Sequence, residues 1–455
     1  MFPATDVSLL FLGSNVRNEG NLICAEYDGD ILIESSVHPD GIVTTSVPGT
    51  PIMQTQDTAF DLPPNREIKR QLYRVLAAVI GRSFPWGSLT GIRPTQIARE
   101  VRDADDMSNF YDVRKDKARL AIETAETEDR ILATTSEEDL FVYIGIPFCP
   151  GRCSYCSFTT QESRSDAGLL PEYLNAVLRE VSGLSSKLKN VRAVYFGGGT
   201  PTIMDEELLG SFVDGCLDLI GPDRSAEITV EAGRPDTLTP VKLETLSRAG
   251  VSRICVNPQS LSDRTLAAIG RKHTAEQFCN AFQAARKAGF HTINTDLIAG
   301  LPGESMEEFR FSVDRIIELL PENITVHALC KKRSADIKRE EIFEGKDNGA
   351  LADDMVSYAD SKIRAGGYFP YYLYKQKDTV GGLENTGFSK PGKECLYNVA
   401  MMSDLRNVLS FGAGGVSKRF FSSRRLERFD CVRNPKEYIE RIDEILIGKR
   451  RFFEV

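Results

Sequence analysis

FVYIGI (residues 141–146) is an apolar run of strand length, and it passes directly into PFCPGRCSYC (147–156), a loop carrying Cys149, Cys153 and Cys156. The alternation of a short β-rich run with a long helical pattern then repeats. VRAVYF (191–196), EITVEA (227–232), SRICVN (252–257), HTINTDLIAG (291–300) and NITVHAL (323–329) complete a set of six strand candidates. Between them apolar residues recur at helical spacing, as in Tyr173, Leu174, Val177, Leu178, Val181 and Leu184, and again in Phe309, Val313, Ile316, Ile317 and Leu320. Strands apolar on both faces are those of a parallel sheet covered by helices. Six βα units in about 190 residues predict an α/β fold, a partial or complete parallel barrel with its functional residues at the C-terminal ends of the strands.

Outside this core the pattern changes on both sides. The first 60 or so residues, up to about residue 60, hold short β segments, VSLLFL, NLICAEY, ILIESSV and IVTTSV, broken by turn residues. From Arg66 the apolar positions Ile68, Leu72, Val75, Leu76 and Val79 keep helical spacing and stop at Gly81, and a second helix is expected over Lys117 to Ala133. The turn-rich SLTGIRPTQIARE between them, with Arg93, is expected to be a loop tied to the core. Beyond Ala350 the chain turns α+β, with the stretches GGYFPYYLYKQ and SFGAGGVSK. The expected division is an N-terminal α+β region at 1–138, the (βα)6 core at 139–335 and a C-terminal α+β domain on the substrate side at 336–455.

Of 455 residues 41% are hydrophobic and 27% charged, which supplies a large core and excludes global disorder. Lys and Arg (56) against Asp and Glu (65) leave a net charge of -9, which argues against nucleic acid or an anionic membrane as the main partner. An anionic ligand must then be met by local basic residues. No apolar run reaches the ~18 residues of a membrane span, and MFPATDVSLLFLG lacks a basic n-region and a cleavage signal, so a cytoplasmic location is expected. Ten cysteines are too sparse for a disulfide scaffold, yet three of them crowd into residues 149–156.

Three thiolates at C-x3-C-x2-C spacing can close on one soft metal centre, and the options are zinc, an iron–sulfur cluster or chance. Zinc is the weaker option. A structural zinc site needs a fourth Cys or His nearby, and none of His38, His273, His291 and His327 is close in sequence. A [4Fe-4S] cube held by three cysteines leaves one iron without a protein ligand, open to a small molecule that can take up an electron.

Cys149-x3-Cys153-x2-Cys156 after a strand, with Tyr155 just before the third cysteine, resembles the radical S-adenosylmethionine (SAM) superfamily. Further segments follow in the same order: Tyr143-Ile-Gly-Ile-Pro-Phe-Cys149, Phe196-Gly-Gly-Gly-Thr-Pro-Thr202, Glu231-Ala-Gly, Asn257-Pro-Gln-Ser260, Gly270-Arg-Lys-His273 and Asp296-Leu-Ile-Ala-Gly-Leu-Pro-Gly303. They are similar to the motifs of the oxygen-independent coproporphyrinogen III oxidase family. LTGIRPT, GIPFCPGRCSYCSFT, ITVHAL, PYYLYKQK and LENTGFSKPGKECLYN resemble the HemZ-type coproporphyrinogen dehydrogenases within it. Two departures are visible: Gly145 where many relatives carry His, and Ser157-Phe158 where well-known bacterial oxidases have a further cysteine.

The resemblance implies a [4Fe-4S] cluster on Cys149, Cys153 and Cys156. It implies SAM bound by Tyr143, Tyr155, Gly197, Gly198, Gly199, Thr200, Glu231, Gln259, Arg271 and Asp296, with Tyr143 also the catalytic candidate beside the methionyl group. The implied reaction uses an electron from the cluster to split SAM, and the 5′-deoxyadenosyl radical takes a β-hydrogen from a propionate. CO2 and one electron then leave. Two rounds convert coproporphyrinogen III to protoporphyrinogen IX in anaerobic haem synthesis. An electron donor such as flavodoxin or ferredoxin and a monomeric protein are implied with it.

Residue chemistry adds detail. Three consecutive glycines let backbone approach a ligand where any Cβ would collide, and Arg271 has the fork to pair with a carboxylate. Four propionates call for positive charge, and Lys331, Lys332 and Arg333 at the end of the sixth strand are the candidates, with Lys375, Lys377 and Lys418 behind them. Tyr368 to Tyr374 either line a tetrapyrrole site or form the domain's own core. Two other functions stay open: a haem-binding chaperone of the same family, and another radical SAM reaction on a tetrapyrrole.

Overall fold

The computed structural model describes residues 7–454 except 8–9, 12–15, 20–21, 28–30, 38–41, 57–61, 92, 157–160, 163–167, 331–347 and 422–424. The chain divides into two compact units, Met1–Ala125 with Tyr374–Glu384, and Glu126–Leu373 with Asn385–Val455. No helix among the described residues is long and apolar enough to cross a membrane.

In the first unit β1 (Val16–Glu19), β2 (Leu22–Tyr27), β3 (Ile31–Val37), β4 (Val43–Ser46) and β5 (Met53–Thr55) form an antiparallel sheet in chain order. The helix Pro64–Ile80 buries Ile68, Leu72, Val75 and Leu76 in one core with Ile33, Val43 and Val47. It ends at Gly81, whose φ of 69° lies in the left-handed region that closes a helix without strain at glycine. Glu384 accepts from Trp86 Nε1 at 2.7 Å and from Lys117 Nζ at 2.5 Å, which ties Tyr374–Glu384 into this unit.

In the second unit β6 (Leu140–Ile146), β9 (Val191–Gly198), β10 (Glu227–Glu231), β11 (Arg253–Cys255), β12 (Ile293–Ala299) and β13 (Asn323–Ala328) run parallel and in chain order. A short pair, β7 (Phe148–Cys149) and β8 (Gln161–Glu162), flanks the cysteine loop. The helices between the strands start where side chains satisfy their first N–H groups. Asp205, Thr239, Thr274 and Ser305 each accept from the backbone three residues on, Thr274 and Ser305 in full capping boxes with Gln277 and Glu308. The predicted (βα)6 arrangement is therefore present, as an open run of strands.

The sheet continues past residue 335. β15 (Glu384–Ser389) lies antiparallel to β13 and carries β14 (Phe369–Lys375) beyond it, while β16 (Asn407–Phe411) lies parallel to β6 and leads to β17 (Val416–Phe420) and β18 (Leu426–Asp430). Segments on both sides of 335 thus build one sheet, because the first and sixth parallel strands each keep an edge that a later strand covers. The break between the compact units falls at Ala125, within the expected N-terminal region. The aromatic segment is core: Tyr368, Tyr371 and Tyr372 are buried, and the Tyr372 hydroxyl meets Thr325 Oγ1 at 3.1 Å.

One buried ion pair fastens the C-terminal helices to this sheet. Glu180, on the helix Leu169–Gly183, accepts from Lys449 Nζ at 2.6 Å, Tyr438 Oη at 2.5 Å and the Gly412 amide at 3.0 Å, and neither charged side chain is exposed. Replacing Lys449 by Met leaves an uncompensated buried carboxylate, and the expected loss is about 3–5 kcal/mol of unfolding free energy in urea titrations. Replacing Glu180 by Leu in the same chain should recover most of that loss.

Candidate active site

The site begins with a register. β6 and β9 pair Tyr143 with Tyr195, Gly145 with Gly197 and Ile146 with Gly198, so period-two alternation puts both tyrosines and the first two glycines on one face. The tyrosine rings stack at 6.2 Å, and Tyr397 from the helix Leu396–Ser403 stacks on both, at 6.0 Å and 4.6 Å. The glycines make room for this. A Cβ at Gly197 would lie 2.9 Å from Tyr195 Cε1, and one at Gly145 would lie 3.2 Å from Tyr143 Cε1. A side chain at Gly145 would also come within 3.3 Å of the Phe411 carbonyl oxygen, so glycine leaves the tyrosine ring its present place.

Beyond the tyrosines the glycine run meets the chain's own backbone. Gly198 has a φ of 110°, and a Cβ at Gly199 would fall 2.4 Å from the Phe148 carbonyl oxygen. Gly199 N donates to Ile146 O at 2.7 Å and Thr200 N to Phe148 O at 2.8 Å. Close approach, expected toward a ligand, is here first of all backbone against backbone. The three amides of 198–200 are engaged within the protein, since Gly198 N donates to Glu231 Oε2 at 3.1 Å.

That splice sets the cysteine loop over the strand ends. Cys149 and Cys153 are buried and Cys156 half-buried. Cys149 Sγ lies 3.2 Å from Thr200 Oγ1, and Cys156 N donates to Cys153 O at 3.0 Å. Burial pushes the Cys149 thiol up to about 12, against the Thr200 hydrogen bond, and the neighbouring Cys156 and Cys153 add to the rise. Mutually opposed thiols are what a bound cation relieves. Among the described residues no three His, Cys, Asp or Glu side chains close on a single ion. A cube has no such requirement, because each thiolate binds a different iron. The donor set fits an iron–sulfur cluster.

Around the loop stand the other strand ends. Tyr195 Oη donates to Glu231 Oε1 at 2.7 Å. Burial raises the Glu231 carboxyl to about 7, with the Tyr195 hydrogen bond opposing and the Asp296 charge adding. Burial, then the charge of Glu231, hold the Tyr143 hydroxyl well above its ordinary value. Asn257 Nδ2 donates to Asp296 Oδ2 at 2.7 Å, and His327 Nε2 lies 3.8 Å from the same oxygen. Gln259, at a φ of 69°, bridges to Leu297, and its Oε1 is buried with no protein partner, as are Asn257 Oδ1 and Arg271 Nε. Such atoms suit a polar ligand that completes them.

Arg271 departs from the expected carboxylate fork. Nη1 donates to Tyr155 Oη at 3.0 Å, and Nη2 to the carbonyls of Gly233 at 2.5 Å and Asn257 at 2.7 Å. It clamps the cysteine loop to two strand ends. Lys331, Lys332, Arg333 and Ser157-Phe158 lie outside the described residues. Lys375 is buried against Leu89 O at 2.8 Å, and Lys418 against Asp404 at 2.7 Å. Sequence reasoning missed Tyr195, Tyr397 and His327. For Tyr195 a signal exists, since Tyr195-x-Gly197 repeats the spacing of Tyr143-x-Gly145.

A model of the radical SAM superfamily matches residues 143–316. Over 462 residues the chain is 34% identical to the oxygen-independent coproporphyrinogen-III oxidase-like protein HemZ of Bacillus subtilis (strain 168), which spans 95% of this chain and 90% of that protein. It is 31% identical to the heme chaperone HemW of the same organism over 60% of this chain and 69% of that one. Among solved structures, the coproporphyrinogen III oxidase HemN of Escherichia coli, a radical SAM enzyme, shares the fold with a TM-score of 0.56 at 21% identity, covering 71% of this chain and 73% of that chain.

The Glu231 environment has a measurable consequence. An unfolded chain releases this proton near 4.5 and the folded protein near 7, so the native state binds more protons in between and stability falls as pH rises across that window. Glu231→Gln should therefore gain on the parent in urea midpoint from about pH 4.5 to about pH 7 and gain nothing further above it. A difference constant with pH would contradict the buried, proton-holding carboxyl.

Proposed function

The chain belongs to the oxygen-independent coproporphyrinogen-III oxidase-like family of radical SAM proteins, which use a [4Fe-4S] cluster and SAM, and from that premise we propose that it oxidatively decarboxylates two propionates of coproporphyrinogen III to vinyl groups. The observation that carries this reading is one continuous chain of contacts. Cys149 touches Thr200, two residues from Gly198, and Gly198 donates to Glu231, so thiols and strand-end carboxylate share one rim.

In this reading Cys149, Cys153 and Cys156 hold the cluster. When bound, cluster and SAM together supply a 5′-deoxyadenosyl radical able to take hydrogen from an unactivated carbon. Glu231 and the carbonyls of the glycine run accept hydrogen bonds from the ammonium of the methionyl group, and Gln259, Asn257 and Asp296 offer acceptors to the rest of SAM. Arg271 keeps Tyr155, and with it the loop, against the strand ends. Tyr143, Tyr195 and Tyr397 form a wall that excludes water, and the raised Tyr143 keeps its proton as a neutral donor. Propionate recognition is assigned to Lys331, Lys332 and Arg333. An external donor such as flavodoxin or ferredoxin feeds the site, and the protein acts as a cytoplasmic monomer on a tetrapyrrole.

The chaperone reading keeps one specific observation in its favour, the 31% identity to HemW over 60% of the chain. A single experiment separates the two. With reductant and SAM under anaerobic conditions, coproporphyrinogen III should stimulate 5′-deoxyadenosine release and give a product two carboxylates poorer. Cys149→Ala, Cys153→Ala and Cys156→Ala should each lose iron, sulfide and SAM cleavage, whereas Cys216→Ala and Cys431→Ala keep them. Stoichiometric haem binding with coproporphyrinogen untouched would replace the oxidase by the chaperone, and deoxyadenosine formed only with haem would replace it by a haem-modifying reaction.

A further inference from the structure

One charged side chain beside the cysteine loop has no part in the account so far. Arg234 follows the end of β10, only 3% exposed. Its Nε and Nη2 form a fork to Asp236, both at 3.0 Å. The fork fixes the guanidinium plane and leaves Nη1 facing the loop. That nitrogen donates to Cys153 Sγ at 3.5 Å and to the Gly151 carbonyl at 3.4 Å. Arginine does not lose its proton in proteins, so a permanent positive charge stands against one of the three sulfurs. Cys149 faces the neutral hydroxyl of Thr200 instead.

We propose that Arg234, held in place by Asp236, is a tuning residue that raises the reduction potential of the cluster through its hydrogen bond and charge at Cys153. The proposal rests on Cys149, Cys153 and Cys156 holding that cluster. Uptake of one electron makes the thiolate-bound cluster more negative by one charge. A fixed cation and an N–H donor at a ligand sulfur stabilise the reduced form more than the oxidised one, and hydrogen bonds to cluster sulfurs are among the factors that set such potentials. Burial sharpens the effect, because the charge is not screened by solvent. Asp236 works in both directions. It orients the fork, and its own negative charge moderates the cation's influence.

The test uses the full-length protein reconstituted anaerobically with iron and sulfide. Metal and sulfide content come first, for the parent and for Arg234→Gln, Arg234→Lys and Asp236→Asn. Each is then titrated with dithionite against redox dyes, and the reduced cluster is followed by electron paramagnetic resonance, with no substrate and no turnover. At a fixed potential Arg234→Gln should lower the ratio of reduced to oxidised cluster about tenfold, equivalent to ~59 mV for a one-electron couple. Arg234→Lys, which keeps the charge and loses the fork, should fall in between. Asp236→Asn should move the ratio the opposite way. A merely structural role would not produce shifts of opposite sign in two neighbouring variants.

A full cluster in Arg234→Gln with an unchanged ratio overturns the proposal. If that variant assembles no cluster, Asp236→Asn decides, and an unchanged ratio there overturns it equally. A parent that assembles no cluster, or a Cys153→Ala variant that assembles a complete one, defeats the underlying ligand assignment instead, and the iron and sulfide counts alone distinguish that failure.

Discussion

Gly199 lies so close to Phe148 that a single methyl group would drive the two backbones apart, and the site depends on that approach. Two hydrogen bonds, Gly199 N to Ile146 O and Thr200 N to Phe148 O, continue the pairing of β6 and β9 past the end of β6. Their effect is to carry the chain into the cysteine loop as an extension of the sheet, so Cys149 inherits the rigidity of a parallel strand pair. A loop of eight residues with no such splice would be free to move its thiols, and a cluster needs them in a fixed arrangement before assembly.

Rigidity of this kind has a cost in buried polarity, and the site contains it locally. Arg234 answers Asp236, Arg271 answers one hydroxyl and two carbonyls, and Glu231 answers Tyr195 and Gly198. Among the buried side-chain atoms without a protein partner are Asn257 Oδ1 and Gln259 Oε1, which follow β11, and Arg271 Nε. An unpartnered buried polar atom costs about 1–3 kcal/mol, and Gln259 adds the strain of a left-handed backbone. A polar ligand that completed these atoms would offset the first of these costs.

Much of this was legible in the chain. Parallel strands declare themselves by apolar runs on both faces, and the cysteine loop by its spacing, because both signals are local. What escaped notice depends on residues far apart in sequence. Nothing in NVLSF announces that β16 will lie beside β6, since an edge strand's partner is set by which edge remains uncovered. Nothing distinguishes Arg234 from an exposed arginine, because burial of a charge follows from the partner that compensates it. The aromatic run Tyr368 to Tyr374 admitted two readings, and packing against Thr325 and Pro321 decided for the core. The glycine run shows close approach within the protein as well, with Gly199 against Phe148 and Gly198 against Ile146.

The division of labour along the chain bears on substrate choice. The superfamily match ends at residue 316, within the segment that supplies Cys149, Glu231, Gln259, Arg271 and Asp296. Tyr397, which completes the aromatic wall, and Asn385, which faces His327 Nδ1 at 3.2 Å, come from beyond it. The segment past the match thus brings further side chains to the ends of the parallel strands. Tyr397 reaches the site because the helix Leu396–Ser403 leads straight into β16, which is anchored to β6 in register, Ser410 beside Tyr143. The same edge pairing that extends the sheet at β6 therefore places the ring that stacks on Tyr143 and Tyr195, and a chain lacking that segment would keep the parallel strand ends but lose that ring.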